Sequence, residues 1–433
     1  MGISGALRKR FRSAVYFKIS IFGAGLAMFW TALHALVLPE KINQIAPDAS
    51  RNAYLGLITF AGLIVAMLAQ PIAGAISDRS SMRWGHRRPF IFLGTVLGLM
   101  VLPGIGLSKS FLPLAIVYCG LQLSMNLAQA PFQAFIPDFV EKGRHGVAAG
   151  VKSLTETVAV VVVLRVVARL SDTHKDDLQA WLPNALWFVG AALFIAMLAT
   201  LLLVQEKRPS PTVHPPLRTT LARAFTIDYR ARREFIWFLF SRLLVLMALG
   251  TLQTFAFNYL RDFVRVSQPA SATTGLLIAA GGGTLVSIYL AAWLSDQIGR
   301  KPVLLISCLL GMLSVVIALS AHGFTAIIIG SGILGLATGS FVGTNWALAT
   351  DLVPKGEEAR YLGLANMATA GAGALSKLIG PGIDYLNSHS PGLGYQAMLW
   401  TVGLYFLGGG LLTLMMKIRK ETPDSGPEMR PST

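Results

Sequence analysis

Glu156 stands about nine residues into an apolar run that covers residues 147–168, in the order Lys152-Ser-Leu-Thr-Glu156. Were that run a helix inside a bilayer, a bare carboxylate there would cost several kcal/mol, so it must face an interior and be paired or protonated. Lys152, four residues earlier, shares its helical face and is the obvious partner. A carboxylate so placed can carry a proton and change charge with the side of the membrane that reaches it. The same two residues can equally form a structural ion pair that never titrates, or Glu156 can touch a solute directly.

A second chemistry is uncharged. Gln122, Asn126, Gln129 and Gln133 follow one another at spacings of 4, 3 and 4, which puts four amides on one helical stripe. Amides both donate and accept, as sugar hydroxyls do, and they suit a water-filled cavity. Helix-to-helix hydrogen bonding is the plainer alternative. Trp30 and His34 share a face, and a sugar ring can stack on such an indole. Arg242 and Gln253 lie eleven residues apart, three helical turns. Ser331, Thr338 and Asn345 line up beside Trp346, and Asn366 lines up with Lys377. A lone Trp is commonly packing, and Arg242 and Lys377 can snorkel to a membrane surface. They also leave room for an anionic solute such as a sugar acid.

Such side chains need elements that carry them through an apolar medium. With 54% hydrophobic and 13% charged residues among 433, the chain is too apolar for a soluble globular protein. Crossing ~30 Å of hydrocarbon takes a helix of about 20 mostly apolar residues. Twelve runs qualify as spans one to twelve: 17–38, 52–76, 89–107, 110–136, 147–168, 182–204, 235–260, 272–294, 302–320, 323–350, 361–383 and 394–416. Their length and their lack of period-two alternation exclude barrel strands. The expected class is an all-α integral membrane protein.

A net charge of +16 would suggest nucleic acid for a soluble chain, but its placement argues otherwise. With the N-terminus inside, the outer loops carry only Lys41, Arg51, Lys109, Arg169, Lys175, Arg261 and Arg265. Lys152, Arg165, Arg242 and Lys377 fall within spans, and the other basic residues cluster at the inner face. That bias places both termini in the cytoplasm, where basic residues also meet anionic lipid, and no nucleic-acid partner is expected. Arg8-Lys9-Arg10 before an apolar run resembles a signal peptide, yet the run is too long for one and reads as the first span. Cys119 and Cys308 both fall inside spans, so no disulfide framework, cysteine metal site or cofactor is expected. An intramembrane enzyme would need a clustered nucleophile, base or metal set, whereas the seven histidines are scattered.

Residues 205–234 interrupt the apolar pattern with prolines and arginines and read as a cytoplasmic linker. The expected division is a six-span bundle over 1–204, the linker, a second bundle over 235–416 and a tail over 417–433. The halves repeat. Ser77-Asp78-Arg79 leading to Gly85-His-Arg87-Arg88-Pro89 after span two is matched by Ser295-Asp296 leading to Gly299-Arg300-Lys301-Pro302 after span eight. Pro137-Asp138-Phe-Val-Glu-Lys142-Gly143 is matched by Thr350-Asp351-Leu-Val-Pro-Lys355-Gly356. Repeated half-chains of this kind mark transporters whose site lies between the halves.

The charged turns resemble the signature loop of the major facilitator superfamily, G-x-x-x-D-R/K-x-G-R/K-R/K. The first copy, S-D-R-S-x-x-R-W-G-H-R-R-P-F, is similar to the loop of sucrose/proton symporters and their animal and bacterial sugar-transporter relatives (the glycoside-pentoside-hexuronide:cation kind). Gln129-Ala-Pro131 and Gln133-Ala-Phe-Ile-Pro-Asp138 resemble Q-G-P-x-R-A-x-x-x-D. The resemblance implies two pseudo-symmetric six-helix bundles around a central cavity in the plasma membrane of a bacterium, functional as a monomer. It implies alternating access for a sugar or glycoside with proton symport, for which Glu156, by its place in span five, is this chain's candidate carrier. It further implies a cytoplasmic gate of Asp78, Arg79, Arg87, Arg88 and Asp138, in which the arginines bond Asp138, with Asp296, Arg300, Lys301 and Asp351 as the matching set in the second half. The chain departs from the pattern at Gln122, where the plant carriers have Asp, and at Gln133, where they have Arg. Coupling must then pass through another residue or be absent. His86 also stands where Arg is expected.

Four other readings compete with this one. Sodium coupling of the melibiose-carrier kind is disfavoured, because no acid lies between Arg51 and Asp78. A proton-coupled exporter or facilitator of another small solute, sugar acids included, would use the same architecture. A drug antiporter would carry G-x-x-x-G-P in span five, which this chain lacks. A non-transporting membrane sensor would need no polar stripe and would usually add a soluble domain.

Overall fold

The computed structural model describes residues 2–80, 82, 85–140, 145–174, 177–204, 206, 233–321, 323–352 and 358–416. Eleven helices among them are long and apolar enough to cross a membrane. Spans one to six are Val15–Ile45, Asp48–Asp78, Arg88–Leu107, Phe111–Gln133, Val147–Thr173 and Ala180–Leu203. Spans seven to ten are Arg233–Phe263, Pro269–Ile298, Arg300–Ser320 and Phe324–Ala349, and span twelve is Leu393–Met415.

Span eleven is built differently from the continuous helix expected over 361–383. A helix Glu358–Leu375 gives way to a 3-10 turn, Ser376–Ile379, and resumes as Gly380–His389. Pro381 opens the second piece; it has no N–H to continue the ladder, so the regular helix breaks before it. Together the pieces make the twelfth crossing. The chain is a multi-pass, all-α membrane protein with a doubled architecture.

The doubling is visible in the packing. In the first half span one packs on spans five and six, and span four on spans two and three. In the second half span seven packs on eleven and twelve, and span ten on eight and nine. Adding six to each number converts one set into the other. The halves meet along spans two and eleven and along spans five and eight, a pair of seams that the same shift exchanges.

Small residues set the closest approach. A Cβ at Gly335 would overlap the Ala280 carbonyl and one at Gly339 would overlap Ser287 Oγ, so spans eight and ten touch backbone to backbone; at Gly332 a Cβ would meet nothing. Gly85 and Gly299 sit in the two charged turns at φ 109° and 96°, a region L side chains rarely adopt. Both cysteines are free. Most of the expected linker (205 and 207–232) and the whole tail (417–433) lie outside the described residues, as do Lys142, Gly143, Lys355 and Gly356.

Candidate functional site

The end of the bundle that carries the charged turns is called here the basic end, and the opposite one the far end. Glu156 and Lys152 form the expected i,i+4 pair at 2.7 Å, with side chains 26% and 29% exposed. The lysine also lies 5.7 Å above the Phe132 ring. Glu156 lines a cavity of about 430 Å³ on the seam of spans five and eight, with Ser153 and Thr157 on one wall and Gly281 and Gly282 on the other.

Spans one and four share a chain of polar contacts. Trp30 stacks on His34 at 5.1 Å, 14° from parallel, and donates its indole N–H to Gln129 Oε1 at 3.1 Å. The Tyr118 hydroxyl lies 2.8 Å from His34 Nε2 and accepts from Gln122 Nε2 at 2.8 Å. Asn126 donates to the carbonyl and amide oxygens of Gln122 at 2.8 and 3.1 Å. The amide stripe is therefore largely spent on internal bonds, and Gln133 alone of the four is exposed. Tyr118 went unnoticed in the sequence although it extends the stripe back by one turn. A Cβ at Gly62 would overlap its ring, so span two makes room for it.

The second half holds a polar cluster of its own around Arg242. The arginine Nε donates to Thr369 Oγ1 at 3.0 Å, an Nη donates to Asn345 Oδ1, and its guanidinium carbon lies 4.8 Å from the Trp346 ring centre. It is 4% exposed, yet none of the ion pairs among the described residues involves it. Asn345, 1% exposed, keeps a buried Nδ2 that finds no acceptor. Asn366 is exposed. Lys377 sits in the break of span eleven and donates to Thr254 Oγ1 and, at 3.4 Å, to the Gly250 carbonyl. Gln253 lines a separate, mostly apolar cavity of about 300 Å³ inside the second half, with Ser331 and Thr338. Both hydroxyls there bond backbone carbonyls.

At the basic end the two turns match nearly atom for atom. Arg87 Nε donates to Asp138 Oδ2 at 3.0 Å, and its Nη1 to Ser77 Oγ at 3.2 Å and to Asp78. Arg300 Nε donates to Asp351 Oδ2 at 3.1 Å, and its Nη1 to Ser295 Oγ at 2.7 Å and to Asp296. The second basic residue of each turn behaves otherwise than expected. Arg88 donates to the Leu201 carbonyl, and Lys301 donates to the Leu414 and Met416 carbonyls, the latter at 2.9 Å. They bond carbonyls at the ends of spans six and twelve, where the helix leaves acceptors unpaired. Neither bonds the aspartate assigned to it, because each is engaged by helix-end carbonyls instead. Each clasp joins spans of one half only. His86 lies 3.6 Å from Asp138 and 3.3 Å from Glu206. Glu206, which sequence reasoning passed over, accepts the backbone N–H groups of Arg87 and Arg88 at 3.0 and 2.9 Å. It thereby caps span three.

The halves are tied elsewhere. Asn43 Nδ2 donates to Asn258 Oδ1 at 3.1 Å, and Asn258 Nδ2 to Asn52 Oδ1 at 2.9 Å. Asp384 accepts from Asn52 Nδ2 at 2.8 Å and from the Ala53 N–H at 2.6 Å. Tyr395 receives a bond from Asn52 at 3.1 Å and donates to Asp262 at 3.0 Å. Asp172 accepts from Ser271 across spans five and eight. Among the described residues, the hydrogen bonds between the halves all lie toward the far end. The bundle is closed there.

Residues 15–385 match the family described as MFS/sugar transport protein. The chain is 30% identical over 118 residues to the minor myo-inositol transporter IolF of Bacillus subtilis (strain 168), a stretch covering 27% of each chain. It is 30% identical over 145 residues to the sucrose transport protein SUT1 of Oryza sativa subsp. japonica, covering 28% of this chain and 26% of that one. The matched stretches thus span 27% and 26% of these relatives' lengths. A crystal structure of the nucleoside transporter NupG superposes with a TM-score of 0.74 at 14% identity, covering 93% of this chain and 99% of that one. That likeness is one of fold.

Proposed function

Because the chain belongs to the MFS/sugar transport protein family, we propose that it moves a sugar or glycoside across a membrane by alternating access, driven by protons. The observation that carries this reading is Glu156, an acid held by Lys152 at 2.7 Å on the wall of a cavity between the halves. A carboxylate on that seam senses which side is open, because its surroundings change when the halves rock. The exchanges Asp to Gln122 and Arg to Gln133, relative to the plant carriers, leave Glu156 as the acid available for coupling. The polar chain from Trp30 and His34 through Tyr118 to Asn126 supplies the hydroxyl-binding side. The clasps on Asp138 and Asp351 hold each half rigid at the basic end while the far end opens. Both termini are cytoplasmic, on the charge bias, and the protein works as a monomer in the plasma membrane of a bacterium, with no nucleic-acid partner.

Uptake of labelled sucrose, myo-inositol and small glycosides into proteoliposomes, with and without an inward proton gradient, tests this. The gradient should drive accumulation in wild type. In Glu156→Gln the accumulation should vanish while exchange of sugar for sugar survives. Exchange indifferent to the gradient would make the protein a facilitator and return Glu156 to a structural role. If no sugar moves, the substrate assignment fails.

One observation favours a second reading. Arg242 is buried with no carboxylate partner among the described residues, next to an unsatisfied Asn345 amide. A solute carboxylate would pair the one and satisfy the other, so a sugar acid is the alternative substrate.

A further inference from the structure

Near the far end, spans five and eight enclose a groove of about 510 Å³. Arg165 and Arg169 line it from span five, and Gln268 and Ser271 from the start of span eight. Four residues apart, the arginines share one helical face. Both are exposed, and neither takes part in the ion pairs found among the described residues. Asp172, the acid in the same groove, has its Oδ2 engaged by the N–H and hydroxyl of Ser271.

Depth makes these arginines unusual. The helix of span five has 27 residues and ends at Thr173. At 1.5 Å per residue it runs about 40 Å, roughly 5 Å past each edge of ~30 Å of hydrocarbon, so Arg169 lies at the hydrocarbon edge and Arg165 about one turn inside it. A guanidinium at such depth needs an anion or water, and its stem lets the head reach toward the headgroups. The planar fork of arginine matches the oxygens of a phosphate. The start of span eight adds the positive end of a helix dipole on the opposite wall.

We propose that this groove is a binding site for the phosphate of a membrane phospholipid, wedged into the seam between the two halves. A lipid delivers its phosphate to this depth at the edge of the hydrocarbon, whereas a free phosphate would have to leave water to arrive there. Because one wall belongs to each half, a bound lipid favours the arrangement closed at the far end.

The test is native mass spectrometry of the full chain in detergent, titrated with phosphatidylglycerol. Arg165→Gln and Arg169→Gln should each weaken lipid binding about fivefold, and the double variant roughly 30-fold. Inorganic phosphate at the same concentration should displace none of it. A double variant that binds like wild type overturns the proposal, and displacement by inorganic phosphate replaces the lipid with a free anion. Should the double variant fail to fold, wild type decides alone. It should retain phosphatidylglycerol and release a diacylglycerol of the same chains, and equal retention of the two overturns the site.

Discussion

Asn52 and Asp384, 332 residues apart, bond across the two halves at 2.8 Å, and the same carboxylate takes the backbone N–H of Ala53 at 2.6 Å. Hydrogen bonds to a charged group contribute about 1.5–3 kcal/mol each. Asp384→Asn removes the charge while keeping the shape, so the far end should open more often, by a factor of ten or more. The check is the rate at which a membrane-impermeant thiol reagent labels Ala270→Cys, in a background carrying Cys119→Ser and Cys308→Ser. Ala270 is buried at the far end. An unchanged rate would mean that this bond does not hold the closure.

The two arginine clasps are alike in geometry and unlike in burial: the Arg87 side chain is 9% exposed and that of Arg300 24%. Lysine cannot reproduce a fork that bonds two carboxylates and a hydroxyl. Arg87→Lys should therefore cost about 2–4 kcal/mol and Arg300→Lys no more than about 1 kcal/mol. Thermal unfolding of the two variants in one detergent measures the difference, and equal losses would contradict it.

Spans eight and ten give a paired test of packing. Gly335→Ala would drive a methyl group into the Ala280 carbonyl, whereas Gly332→Ala would meet open space. The first should destabilise by about 1–3 kcal/mol, and the second should leave stability unchanged or slightly raised. Melting temperatures settle the order.

Arg242→Lys separates function from stability. Its partners Thr369, Asn345 and Trp346 are all neutral, so no buried carboxylate is stranded by the change. Lysine keeps the charge but loses the paired bonds and the flat face over the indole. Uptake should fall at least about tenfold, corresponding to loss of one good hydrogen bond to a charged group, while the melting temperature moves little. A parallel fall in both would make Arg242 a structural residue.

Much of this arrangement was legible in the sequence, and the parts that were not share a cause. Spans came from length and hydropathy, the doubled turns from their repeated charges, and the Lys152–Glu156 pair from a spacing of four. Those are local signals. The partners of Arg88 and Lys301 are backbone carbonyls, which carry no residue type to recognise. Asn43, Asn52 and Asn258 are isolated amides in their own stretches, and they acquire meaning only when folding brings residues more than 200 positions apart to 3.1 Å or less. Asp384 is a lone acid in its own stretch, and its partners Asn52 and Ala53 lie in the other half. The break in span eleven did have a local sign, Gly380-Pro381, overridden by the apolar length around it.

The far-end closure is made of amides, carboxylates, a serine hydroxyl and a phenol, groups that water satisfies almost as well as they satisfy one another. Opening that seam is therefore an act of hydration. Solutes excluded from protein surfaces, sucrose among them, oppose exposure of new surface. Concentrated sugar outside the far face would then keep the entrance shut as a solvent, in competition with whatever it does as a cargo.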